Sequence, residues 1–218
     1  MREAYAEQLA ALSDQLAGMC DLVAESMQRA TTSLLTADLA LAEQVISDEI
    51  KIEELRIGSE ETAVGLLALQ APVAGDLRIV VSAIRASGDI ERMGQLSLHV
   101  AQTTRRRHPQ KVLPEQVEPY FAEMGQVAVQ MATAAVGIIR TKNIELASKL
   151  EDDDDAMDDL HRHMFTAMMA PGWPHGVPAA VDLTLLGRFY ERYADHAVSL
   201  GRQVIFMVTG QLPAEAGA

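Results

Sequence analysis

Glu191 and Asp195 stand four residues apart in the stretch Arg188 to Gly210, and their types and spacing are the ones best suited to chemistry in this chain of 218 residues. On a helix such a spacing puts both carboxylates on one face. The Glu-Arg pair that starts the motif recurs 100 residues earlier as Glu91-Arg92, where the position four beyond the glutamate is Gln95. Glu49 and Glu53, preceded by Asp48, repeat the spacing, as do Asp154 and Asp158 within an acidic run that includes Asp153 and Asp155. Carboxylates side by side repel one another. Each pair therefore asks for basic side chains or for a metal ion.

The elements that must hold these acids are helices. Leu9, Leu12, Leu16, Met19, Val23, Met27, Ala30 and Leu34 recur at spacings of three and four, the seam of a long amphipathic helix. Thr36 or Asp38 offers an N-cap to a second helix, whose stripe runs Leu41, Val45, Asp48, Ile52 and Leu55, with an acid where an apolar residue is due. Pro72 and Gly75 interrupt the pattern, and Asp76 is placed to start a third helix running toward Thr103. A break from Arg105 to Pro114 follows. Beyond it, a fourth helix carries Met124, Val127, Met131 and Ile138, a fifth starts near Asn143, Pro171 to Pro178 turns the chain, and a sixth runs from about Ala179 to Thr209.

The second half repeats the first. Leu39, Leu41, Ala42, Asp48, Glu49, Ile52, Glu53 and Leu55 match Ile144, Leu146, Ala147, Asp153, Asp154, Met157, Asp158 and Leu160 at an offset of 105, and the third and sixth helices match at 100. The expected fold is all-α: six long helices forming two tandem three-helix bundles related by internal pseudo-symmetry. Residues 1–107 make the first repeat, 108–114 a linker, 115–210 the second repeat and 211–218 a disordered tail, the whole packed as one elongated unit.

In an antiparallel hairpin, residues equidistant from the turn lie level. Glu49 and Glu53 then face Glu91 and Gln95 about a turn at Pro72, and Asp154 and Asp158 face Glu191 and Asp195 about the Trp173-Pro174-His175 turn. Oxygen donors of this kind suit hard cations such as Mg, Mn, Ca or ferric iron. The candidate metal ligands are Asp48, Glu49, Glu53, Glu91 and Gln95 in the first half and Asp153, Asp154, Asp158, Glu191 and Asp195 in the second, the first set being weaker because Gln95 is neutral. A plainer reading competes: the run Asp152 to Asp155 alone is the solvated face of a helix. Arg92 and Arg192 are expected to pair with carboxylates on neighbouring helices. His161 and His163 splay to different faces, and His196 is expected at the surface rather than as a ligand.

A formal charge of −13 excludes a nucleic-acid backbone as partner, since the one basic stretch, Arg105 to Lys111, is short. It also disfavours a free anion over most of the surface, and no glycine-rich turn precedes a helix to cradle phosphate. Cys20 stands alone on an apolar stripe, which fits a reduced compartment. No signal peptide and no apolar run of membrane-spanning length is evident, so a soluble cytoplasmic protein without membrane insertion is expected. No glycine-rich phosphate loop, GxSxG or Cys-His arrangement appears, and Asp158-x-x-His161 is the nearest approach to the Glu-x-x-His of di-iron bundles. Met157, Met164, Met168 and Met169 suggest adaptable apolar surface near the fifth helix, and a homodimer is expected.

The stretches PVAGDLRIVVSAIRASGDIERMGQL at Pro72 to Leu96 and GRFYERYADHAVSLGRQVIFMVTG at Gly187 to Gly210, set in this duplicated plan, resemble the PhoU family of phosphate-uptake regulators. The resemblance spans about residues 3 to 210. It implies paired Glu/Asp-x-x-x-Asp motifs that hold metal ions on the bundle surface, intact here at Glu191-x-x-x-Asp195 and altered at Gln95. It also implies regulation rather than catalysis. Members damp high-affinity phosphate uptake and the phosphate-starvation transcriptional response through a sensor histidine kinase and the ATPase subunit of the phosphate ABC transporter. A metal-dependent helical-bundle enzyme and a metal-free helical adaptor are the alternatives.

Overall fold

The structure, a computed structural model, describes residues 2–211, with side chains from residue 5 onward. The tail expected at 211–218 lies outside it beyond Gln211. Six helices account for nearly all of the described chain: α1 (Arg2–Thr36), α2 (Leu39–Gln70), α3 (Ala74–Arg107), α4 (Glu118–Thr141), α5 (Ile144–Met168) and α6 (Gly176–Thr209). No strand occurs among the described residues. The protein is all-α, as its periodicity indicates.

The duplication is written into the backbone as well as the sequence. Ala37, with φ of 55°, ends α1 in the left-handed region, and Asp38 then caps α2 by accepting the Leu41 N–H at 3.0 Å. At the matching positions Lys142, with φ of 54°, ends α4, and Asn143 caps α5 through the Leu146 N–H at 3.0 Å. A left-handed residue satisfies the last carbonyls of one helix while the short polar side chain satisfies the first amides of the next. Two residues thus suffice to reverse the chain.

Among the described residues, helix α2 packs only on α1 and α3, and α5 only on α4 and α6; the halves join where α1 meets α4 and α3 meets α6. The contacts are close. Thr31 of α1 lies against Gly125 of α4, and Arg78 near the start of α3 reaches Gly210 at the end of α6. A single hydrophobic core runs through both halves. Tyr190 and Tyr193 of α6 are fully buried in it, and their hydroxyls reach α1: Tyr193 donates to the Val23 carbonyl at 3.0 Å, and Tyr190 shares a 2.8 Å hydrogen bond with the Thr31 hydroxyl. Buried phenols need such partners.

Four sequence expectations change here. Helix α3 starts at Ala74 and continues through Arg105–Arg107, because three arginines complement the carbonyl end of a helix and because Arg106 and Arg107 hold the buried Asp182 of α6 at 3.2 and 2.6 Å. Helix α6 starts three residues before Ala179, since a proline is tolerated in the first turn. Helix α4 does reach the length and apolarity of a membrane span, but half of that apolar window is buried, with Phe121, Met124 and Met131 inside the bundle. Met157, Met164 and Met168 are core residues rather than surface; of the four methionines only Met169 is exposed.

Candidate functional site

The hairpins set the acids level with one another. Between α2 and α3, Ile52 packs on Gly94 and Arg56 Nε lies 3.2 Å from a Glu91 carboxylate oxygen. Burial, then the charges of Glu53 and Glu91, raise the carboxyl pKa of Glu49, so these three acids share one neighbourhood. Arg56 is their built-in counter-ion, and it also pairs with Glu60 at 2.7 Å. Gln95 is occupied on its own helix, accepting from Arg92 Nη1 at 2.6 Å. Asp48 does not join the group. One residue from Glu49 it points about 100° further round the helix, toward α1, where hydrogen bonds from Lys51 at 2.7 Å and Arg29 at 2.8 Å hold its carboxyl below the usual range.

The second hairpin gathers more charge. Burial, followed by Asp195, Asp158, Asp155 and Glu191, pushes the Asp154 carboxyl up to about 6. Asp158 is raised by burial, Glu191 and Asp195, against the opposing pull of Arg162 and His161. Asp154, Asp158, Glu191 and Asp195 are thus brought together, as the register expects. Asp153 is exposed and lies outside their circle, whereas Asp155 contributes from its edge. Glu191 is held by Arg188 of its own helix at 2.6 Å.

His161 is the residue that the sequence reading set aside. Its Nδ1 lies 3.6 Å from Glu191 and its other ring nitrogen is buried without a partner. The signal was the spacing Asp158-x-x-His161, which puts both on the face turned to α6. His196 also departs from expectation: it is partly buried, with Nδ1 2.9 Å from Asp89, whose other oxygen accepts from Ser199 at 2.7 Å. Among the described residues, Arg92 and Arg192 do not pair with carboxylates of neighbouring helices. Both line a cleft between α3 and α6.

As the side chains stand, no group of three or more His, Cys, Asp or Glu among the described residues converges on one point. The α5/α6 donor set nonetheless fits a hard cation. It is four carboxylates, and Asp154 Oδ1 is buried with no hydrogen-bond partner, an expense that native proteins rarely leave uncompensated. Asp158 and Asp195 are exposed enough to change rotamer toward an ion. The α2/α3 set fits less well, because it gathers three carboxylates rather than four, with Arg56 already 3.2 Å from Glu91.

A family model described as PhoU domain matches residues 16–104 and 121–204. The chain is 59% identical over 213 residues to "Phosphate-specific transport system accessory protein PhoU homolog 2" of Mycobacterium tuberculosis strain H37Rv, covering 98% of this chain and 100% of that one. A relative in Methanothermobacter thermautotrophicus, named as PhoU homolog 1 of the same system, is 28% identical over 203 residues, covering 88% and 91%. Among solved structures, PhoU from Streptococcus pneumoniae superposes with a TM-score of 0.84 at 22% identity, covering 96% of this chain and 99% of that one. PhoU from Pseudomonas aeruginosa gives 0.83 at 24%, covering 95% and 100%.

Proposed function

This chain belongs to the PhoU family, and from that premise we propose that it is an accessory protein of phosphate transport that regulates rather than catalyses. In this reading it is a negative regulator of high-affinity phosphate uptake and of the phosphate-starvation two-component response. It works in the cytoplasm as a helical adaptor, as a homodimer, and contacts the sensor histidine kinase and the ATPase subunit of the phosphate ABC transporter. Magnesium, manganese or iron bound at the α5/α6 acids, with the α2/α3 acids as a lesser site, would turn a repulsive acidic face into one able to meet a partner.

The observation that carries the metal part is the group Asp154, Asp158, Glu191 and Asp195, crowded enough to raise two of its carboxyls and leaving Asp154 Oδ1 without a partner. The regulatory part is supported by relatives named as accessory proteins of phosphate-specific transport. Capture of the kinase and of the transporter ATPase by the full chain, with and without chelator, tests both. Association is expected to weaken with added salt and with chelator, and to be lost in the double variant Glu191→Gln, Asp195→Asn. Undiminished, salt-insensitive capture by that variant would sink the reading.

A further inference from the structure

Helices α3 and α6 pack across the halves, and between them lies a cleft of about 200 Å³ walled by Arg92, Arg188, Arg192, His99, His196 and Phe189. No carboxylate of the described residues lines it, in a protein whose formal charge is −13. The duplication explains the segregation. Neighbouring residues on a helix diverge by about 100°, so in each Glu-Arg pair the glutamate turns to its own hairpin and the arginine to the other half. Two copies of one motif thereby bring Arg92 and Arg192 to a common cleft.

The basic groups are held from behind. Arg92 is steadied by the neutral Gln95 at 2.6 Å, Arg188 by Glu191 at 2.6 Å, and His99 stacks on Phe189 with ring centroids 5.2 Å apart. Arg192 has no ion pair or hydrogen bond among the described residues. His196 gives its Nδ1 side to Asp89 at 2.9 Å, and Asp89 is itself held by Ser199. With Nδ1 engaged by that carboxylate, Nε2 is the ring nitrogen left for a ligand.

We propose that this cleft binds a small oxyanion of the phosphate class between the two halves. Guanidinium forks match the oxygens of such an anion, and the volume lies below the roughly 300–1,000 Å³ of pockets that take larger organic ligands. Sulfate offers the same oxygens but no proton. Hydrogen phosphate offers His196 Nε2 both an O–H and acceptor oxygens, whereas sulfate can only accept, so phosphate is favoured over sulfate. The net charge, which disfavours anions over most of the surface, is an average that this cleft escapes. Arg188, paired with Glu191, links the cleft to the acidic hairpin, and phosphate binding is expected without metal.

Titration calorimetry of the full chain with inorganic phosphate, in chelator and at low ionic strength, tests it. Saturable binding of one phosphate per chain is expected, with sulfate weaker. Arg192→Gln is expected to weaken phosphate by about tenfold, with the melting temperature little changed because the side chain is exposed. Asp154→Asn, in the acidic hairpin, is expected to leave phosphate binding intact, which separates this site from any metal-bridged anion. Absence of saturable binding, or unchanged affinity in both Arg192→Gln and the double variant Arg92→Gln, Arg192→Gln, would overturn the site. Equal affinity for sulfate would overturn the role given to His196.

Discussion

The two hairpins descend from one pattern and differ at two positions that decide what each can hold. Arg56 of α2 answers to His161 of α5 at the same offset that relates the acids, and Gln95 answers to Asp195. In the first hairpin three carboxylates, Glu49, Glu53 and Glu91, meet a permanent guanidinium 3.2 Å from Glu91. In the second, four carboxylates meet Arg188 at 2.6 Å from Glu191 and an imidazole 3.6 Å from it. An arginine stays charged at any physiological pH, whereas an imidazole gives up its proton. The first hairpin therefore sets one guanidinium against three carboxylates, whereas the second sets Arg188 and an imidazole against four and still leaves Asp154 Oδ1 unpartnered, which gives an external cation more to hold there.

The strongest way to break that comparison is to exchange the deciding residue. His161→Arg sets a second fixed positive charge beside Glu191, next to Arg188, and is expected to weaken manganese binding at the second hairpin by about a hundredfold, the effect of adding one full charge near a hard-ion site. Metal counting per chain after equilibrium dialysis measures it. Unchanged stoichiometry and affinity would mean that the counter-ion does not distinguish the hairpins.

Helix spacing distinguishes them next. A methyl added at Gly201 would lie 2.9 Å from the Ala147 carbonyl oxygen, a backbone atom that cannot move aside, whereas one at Gly94 would meet the flexible end of Ile52 at 3.0 Å. Gly201→Ala is expected to destabilise the protein by about 1–3 kcal/mol and Gly94→Ala by less. Thermal unfolding of the two variants ranks them. If Gly94→Ala costs more, the second hairpin is not the tighter one.

The fold was legible because periodicity, punctuation and repetition agreed. Asp38 and Asn143 announced their caps, and the register of each hairpin followed from the turn alone. The acids that share a neighbourhood, Glu49, Glu53 and Glu91 in one hairpin and Asp154, Asp158, Glu191 and Asp195 in the other, were legible for the same reason. Asp48 was misplaced because adjacent residues on a helix part company by about 100°, and an acidic pair does not reveal which neighbour each member faces. Arg92 and Arg192 were misread because hairpin register says nothing about how the halves meet. The α3–α6 contact joins residues more than 100 positions apart in sequence, as Asp89 and His196 show, and no local pattern encodes it.

Gln95 tests the second deciding position. Gln95→Asp is expected to strengthen metal binding at the first hairpin only severalfold, because Arg56 and Arg92 remain to compete for the new carboxylate. The reciprocal Asp195→Asn is expected to weaken the second. Calorimetry in the parent chain should show unequal affinities. Equal ones would mean that position 95 is not turned to the acids.

The smallest expected effect is in the pH dependence of stability without metal. Asp154 is raised from 3.8 to about 6 in the folded protein by burial and by its acidic neighbours, so between those values the folded state binds the proton that the unfolded chain has released. Stability is therefore greatest below the unfolded value and falls as pH rises through about 6. Because the carboxyl is only half-buried, solvent screening keeps the change to about 1 kcal/mol or less. Asp158 and Glu49 slope the same way, whereas Asp48, lowered by Lys51 and Arg29, slopes oppositely, its contribution being lost as pH falls. Asp154→Asn is expected to flatten the decline between pH 4 and about 6 more than Glu49→Gln does, since Asp154 faces four other carboxylates and Glu49 two. Urea unfolding in chelator at a series of pH values measures both slopes. A larger flattening by Glu49→Gln would place the more strained acids in the first hairpin and reverse the contrast between the two.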